Sequence, residues 1–411
     1  MNTVYDAPPE VGRLRQRALI VGVVFLIVLL AGAFFDRSQF FHSYLIGYLF
    51  WIGIALGSLV LLMLQHLTGG GWGMVIRRVL EAATRTLPLM LILFMPILFG
   101  ARHIYPWTDP AKMVPGLTHE ATEALLDKAN RYLNLRFFTI RAVVYFAIWL
   151  VLAYFLNKWS REQDTSTDGA ATKKMRMLGG PGMALFILTV TFAAIDWIMS
   201  ISPEWSSTIF GLLFVASFGL SGLAFAIAIV AMLSDREPLA DVVAPLHFHD
   251  LGKLLLALVM LWAYFSYSQY LIIWSGNLPE EIVWYLPRTH GGWGVVAIAV
   301  VVLHFAFPFF FLLSRSLKRN PHRLVSVAVL ILIMRVIDLI WVIAPNANFS
   351  GPNFHISWMD IAAPLGIGGI WIAMFAGELK KRSLMAFNDP QMESVLEQAH
   401  EHHEEEFVEE S

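Results

Sequence analysis

The sequence predicts an all-α integral membrane protein of ten transmembrane helices. These are expected to form two pseudo-symmetric four-helix bundles, spans 2 to 5 and 6 to 9, with spans 1 and 10 at the periphery. Three observations carry that expectation. Of 411 residues, 57% are hydrophobic and 15% charged, whereas a water-soluble globule carries about a quarter of its residues as Asp, Glu, Lys and Arg. Apolar stretches recur at the roughly twenty residues needed to cross about 30 Å of hydrocarbon at 1.5 Å per residue. The second half of the chain also repeats features of the first.

In chain order the expected spans cover 18–35, 42–66, 83–101, 137–157, 182–200, 209–233, 252–274, 293–314, 323–344 and 358–377. Residues 1–17 form a cytoplasmic N-terminus. Span 1 starts behind Arg13, Arg15 and Arg17 with no small-residue cleavage site, so it reads as a retained anchor. The first bundle runs over 42–200 and includes an external segment, 103–136. There Ala121, Leu125, Ala129 and Leu133 mark a surface helix from Thr118 to Leu135. The glycine run at 69–73 has no following Lys-Ser/Thr and reads as a bend between helices, not as a phosphate loop. Pro88, Pro96, Pro308 and Pro364 fall inside spans, where they kink helices and free carbonyls. The second bundle runs over 209–344, span 10 follows, and 383–411 is an acidic cytoplasmic tail with three histidines, read as solvated.

Charge sets the orientation. Of the 29 Lys and Arg, twenty fall on the face that holds the N-terminus and seven on the other, four of those in segment 103–136 and a fifth, Arg102, at its edge. This positive-inside bias puts both termini in the cytoplasm. Arg141 and Arg335 are left inside spans 4 and 9. A net charge of −2 gives no basis for a nucleic-acid partner.

The repeat is visible in two gapless alignments. AIDWIMSISPEW around span 5 matches VIDLIWVIAPNA around span 9, pairing Asp196 with Asp338 and Pro203 with Pro345. GYLFWIGIALGSL in span 2 matches GLLFVASFGLSGL in span 6, pairing Gly47, Phe50 and Leu59 with Gly211, Phe214 and Leu223. Four spans per unit keep both copies in one orientation, so they are related by an axis along the membrane normal.

Ionisable groups within a bilayer cost several kcal/mol unless paired or hydrated, which makes each a candidate site. Asp196 and Asp338 stand at equivalent depth in the outer halves of their spans. A carboxyl held away from water and within reach of a proton donor can take up and release a proton; equally, each Asp can simply cross-link its helices. Arg335, three residues before Asp338 on the same face, points to an ion pair. Span 7 opens with His247, His249, Asp250 and Lys253. It ends in AYFSYSQY, which places Tyr264, Tyr267, Ser268 and Gln269 close together. With His304 midway along span 8 and Glu280 and Glu281 beyond the top, these residues suffice for two aqueous half-channels, or for interhelical hydrogen bonds that fix packing.

Cysteine is absent, so disulfides, thiolate metal sites, Cys-ligated iron–sulfur clusters and c-type haem attachment are excluded for this chain. Only His304 lies deep within a span, and a bis-histidine haem needs two facing imidazoles.

The stretches KANRYLNLRFFTIRAVVYFAIW (128–149), DWIMSISPEWSSTIFG (196–211) and HDLGKLLLALVMLWAYFSYSQYLIIWSGNLPEE (249–281) resemble the F subunit of bacterial alternative complex III, a quinol:cytochrome c (or other high-potential acceptor) oxidoreductase. That subunit is similar to the polysulfide reductase membrane subunit. The resemblance covers all ten spans and implies a cofactor-free, multi-pass subunit of the bacterial inner membrane, not catalytic on its own. Its partners would be membrane lipids, a similar C subunit, and iron–sulfur and cytochrome c subunits that hold the clusters and haem. It also implies a proton pathway or a vestigial quinone site, with Arg141, Tyr145, Asp196, Lys253, Tyr264, Ser268 and Gln269 at motif positions. The competing expectation is a secondary transporter with a midplane substrate site between the two bundles.

Overall fold

The computed structural model describes residues 7–109, 131–346 apart from 167, 238 and 241, and 354–393, with a few single positions near 125 and 396. Among these, every regular element is helical. The long helices are α1 (Pro9–Phe35), α2 (Arg37–Thr68), α3 (Gly71–Thr84), α4 (Leu87–Phe99), α5 (Leu135–Gln163) and α6 (Ala170–Trp197) in the first half. They continue as α7 (Phe210–Leu233), α8 (Pro245–Gly276), α9 (Gly291–Leu313), α10 (Pro321–Ile343) and α11 (Met359–Leu379). Nine of the described helices are long and apolar enough to cross a membrane, and α3 with α4 forms a further pair bent by 43°. Much of the expected surface helix at 118–135, and the three tail histidines, lie outside the described residues.

Helix starts follow the local chemistry. Asp36, Asn134 and Asn320 accept the Gln39, Phe137 and Arg323 backbone N–H at 3.0, 3.0 and 3.1 Å, satisfying donors that the first turns of α2, α5 and α10 leave open. Prolines occupy the first turns of α1, α4, α8 and α10, where a missing N–H costs nothing. In α9 the turn Val300–Ala306 is π-helical and ends just before Pro308, which has no N–H to continue a regular ladder.

Two helices lie at the centre. Almost every side chain of α2 and α7 is buried, which is why neither shows a polar face. They cross where a Cβ on Gly57 would stand 1.8 Å from the Phe218 carbonyl oxygen, and one on Gly222 2.7 Å from the Ser58 amide. Only glycine lets the backbones meet that closely. The gapless repeat pairs Ser58 with Gly222, so equivalent residues face each other across the crossing. Helices α3, α4 and α6 pack on α2, while α8 and α10 pack on α7. Peripheral α1 lies along α11, in contact at Gly22 and Gly369.

Two expectations need correction. The bend expected at 69–73 leads into a helix: α3 fills 71–84 and is buried from Gly73 onward, because Arg77 and Arg78 are met there by Glu81, Asp389 and Asp164. The tail is also not solvated from its start. Leu384, Met385, Ala386, Asp389 and Met392 are buried against the body. Asp389 binds Arg77 at 2.6 Å, and the Gln391 side chain accepts the Gly70 amide at 3.1 Å.

Candidate functional site

The two repeated carboxylates lie near the C-terminal ends of α6 and α10, and each is held by an arginine. Asp196, in the last turn of α6, is fully buried. Arg141 of α5 grips it with two bonds, Nε to Oδ2 at 2.8 Å and Nη2 to Oδ1 at 2.9 Å. The Tyr145 hydroxyl donates to Oδ2 at 2.8 Å. Arg141 also stacks its guanidinium 3.9 Å over the Tyr132 ring. A planar guanidinium matches both carboxylate oxygens at once, which suits it to a pair withdrawn from water. Around this group the Trp197 indole meets Tyr48, Phe94, Tyr145, Phe146 and Trp149. The first carboxylate is thereby sealed, and its candidate residues Arg141, Tyr145 and Asp196 form one constellation.

Asp338 has a different surround. Its arginine comes from its own helix: Arg335 Nη1 donates to Asp338 Oδ2, and the guanidinium lies 5.0 Å from the Phe214 ring centroid. The second nitrogen, Arg335 Nη2, is buried without a hydrogen-bond partner. Both residues line a cavity of about 1010 Å³ between α7, α8, α9 and α10. Its walls are mostly apolar and include the aromatic rings of Phe210, Phe214, Trp262, Trp284, Tyr285 and Trp341. In the gapless repeat Trp197 corresponds to Leu339, which is buried and does not line the cavity.

Compared with known proteins, the chain matches no family model and no curated sequence.

The other expected residues divide. Tyr264 and Gln269 line the cavity, together with Ser266, Tyr267 and Tyr270, whereas Ser268 does not. Gln269 is fully engaged, accepting from the Ser207 hydroxyl at 3.0 Å and donating to the Tyr285 hydroxyl at 3.2 Å. His304 is buried in the π-helical turn and stacks on Trp262 at 4.3 Å, with neither ring nitrogen hydrogen-bonded. Lys253 pairs with Asp250 at 3.0 Å at the basic end of α8, and His249 lies 3.9 Å from that carboxylate. Eleven residues of helix, about 17 Å, separate Lys253 from Tyr264. Among the described residues no hydrogen bond joins Lys253, His304 and Asp338, so the expected half-channel residues do not form a continuous protein chain.

Two polar centres escaped the sequence reading. At the basic end Glu81 accepts from Arg77 at 2.9 Å, Arg78 at 2.8 Å and Arg382 at 2.8 Å, while Ser160 donates to it at 2.6 Å. At the other end Arg288, just outside the spans, is fully buried and donates to the Trp284 and Val342 carbonyls at 2.6 and 2.7 Å and to Asn346 Oδ1 at 2.9 Å. Burial pulls its guanidinium down to about 9, and burial pushes the neighbouring Tyr285 hydroxyl up to about 12. Arg77, Arg78 and Glu81, at i, i+1 and i+4 on one helix, were a signal that could have been read. The contribution of Arg382 was not readable, because it depends on how the tail folds back.

Proposed function

We propose that this chain is a cofactor-free membrane subunit of a quinol-oxidising respiratory complex, similar to the F subunit of bacterial alternative complex III. It crosses the membrane ten times, counting bent α3–α4 as one span, with both termini in the cytoplasm. Its core is two four-helix units related by the α2–α7 crossing. It scaffolds partners that carry haem and iron–sulfur clusters and offers protonatable groups within the bilayer. The observation that carries this reading is the duplicated arginine-held carboxylate, Asp196 with Arg141 and Asp338 with Arg335. Ion pairing lets a carboxylate persist away from water, and an ionisable group kept within the bilayer is a candidate functional site.

The same geometry disfavours the transporter alternative. The two central helices touch backbone to backbone at Gly57 and Gly222, leaving no space for a substrate at that crossing.

Isolation from native membranes in mild detergent tests the reading. The expected result is a chain that copurifies with c-type haem absorbance and iron–sulfur subunits. Elution alone or as a homo-oligomer would overturn it.

A further inference from the structure

The turn between α9 and α10 carries positive charge that its surroundings leave unanswered. Residues 315–323 include Arg315, Lys318, Arg319, His322 and Arg323, and no Asp or Glu occurs between Glu281 and Asp338. Among the described residues none of these five side chains forms an ion pair, and Asp250, the carboxylate of neighbouring α8, pairs with Lys253 at 3.0 Å. Lys318 is buried, with its stem across Gly252 of α8, where a Cβ would stand 2.6 Å from Lys318 Cγ. The equivalent turn of the first unit, between α5 and α6, is built differently. There Asp164 binds Arg78 and Arg382, and Glu162 meets Lys174 at 3.4 Å. Positive-inside bias predicts cations on both turns, but only the first has acids of its own.

That turn closes a groove of about 630 Å³ between the end of α9 and the start of α10. One end of the groove is apolar, lined by Phe307, Phe310 and Phe311, all exposed. The other is polar, lined by Ser314, Ser316, Arg323 and Ser326. Phe307 and Ser314 are about 10 Å apart along the helix, so the groove runs from hydrocarbon into the headgroup layer. Among the described residues the Arg323 guanidinium makes no hydrogen bond. Ser314 and Ser316 share one at 3.0 Å, which leaves one of their two O–H groups free to donate. From this geometry we infer that the groove binds an anionic phospholipid. Arg323 and the Ser314–Ser316 pair donate to its phosphate oxygens, and an acyl chain lies along the phenylalanines. Basic pockets between helices at the membrane surface suit such headgroups. Each half of the groove excludes a competitor. A zwitterionic lipid brings its own cation to a turn already rich in them, and a neutral lipid would leave Arg323 without an acceptor. Free phosphate or an acidic peptide has no apolar part to cover the exposed rings. The leaflet that supplies the lipid, the cytoplasmic one, rests on the topology proposed above; the binding itself does not.

Native mass spectrometry of the full-length chain, delipidated in detergent and titrated with dioleoylphosphatidylglycerol, tests the site. The expected result is a lipid adduct that forms at lower concentration than with dioleoylphosphatidylcholine and survives excess inorganic phosphate. Arg323→Gln should weaken the adduct about fivefold, the effect of a single basic residue near a membrane surface. Ser326→Trp fills the groove from an exposed position and leaves every charge in place, and it should weaken the adduct at least as much. Lys173→Gln, which removes an exposed cation on α6, should change nothing. Equal binding of the two lipids, displacement by phosphate, equal weakening by Lys173→Gln, or no change in both groove variants would each overturn the inference. The competing occupant is the acidic end of this same chain, residues 393–411. Truncation after Met392 should leave lipid affinity unchanged, whereas lipid bound only after truncation would give the groove to the tail and overturn the lipid assignment. Because binding is read on the chain alone, its outcome stands apart from whether the chain copurifies with haem.

Discussion

At the scale of the residue, the balance between burial and pairing decides what each charged group does. Asp196 and Arg141 were both legible as membrane charges, but their union was not, because they lie 55 residues apart on different helices. Asp338 and Arg335, three apart on one helix, were legible as a pair. Breaking a buried pair by removing one partner leaves an uncompensated charge and typically costs 3–5 kcal/mol. Arg141→Met is therefore expected to destabilise the chain by roughly that amount, read as the loss of melting temperature in detergent. The double variant Arg141→Met with Asp196→Leu should recover most of it. A double variant no more stable than the single would show that packing, and not the stranded carboxylate, sets the loss.

At the scale of the element, the helices were found because length and hydropathy are local properties. Their breaks and ends were less legible. Bent α3–α4 reads from sequence as one span with a loose entry, because a buried helix carrying two arginines looks like a polar loop until its counter-charges are located. The docked start of the tail is the same case: Asp389 and Arg382 have meaning only beside Arg77 and Glu81. Truncation after Met392 is expected to leave thermal stability within about 0.5 kcal/mol, as for a change away from packed features. Truncation after Arg382 strips Asp389 from Arg77 and uncovers apolar surface, and should cost several kcal/mol, about 3 or more. At the α2–α7 crossing, Gly57→Val forces a side chain into backbone and is expected to cost about 3 kcal/mol or more. Recovery of folded, monodisperse protein after detergent extraction measures it, and normal yield would mean the helices can separate there.

At the scale of the whole molecule, orientation and asymmetry are the questions. Twenty basic residues on one face predict that both ends stay in the cytoplasm. Fusions test this directly: green fluorescent protein at either terminus should fluoresce and alkaline phosphatase should stay inactive, whereas an active phosphatase at Ser411 would reverse the topology. The internal repeat predicts two like units. The structure gives the two repeated carboxylates unlike surroundings, Asp196 beside packed Trp197 and Asp338 beside a cavity.

The sequence by itself determined that this is a multi-pass helical membrane protein, that its second half echoes its first, and that Asp196 and Asp338 are the carboxylates to watch. Hydropathy, charge bias and internal identity are all written along the chain, so each can be read without knowing what touches what. Only the tertiary structure decided that Arg141 serves Asp196, that the tail completes a buried ion cluster, and that Asp196 is packed in while Asp338 borders a cavity. Those outcomes depend on volumes and distances between helices far apart in sequence. Two aspartates at matching positions look alike along the chain until the space around each is measured.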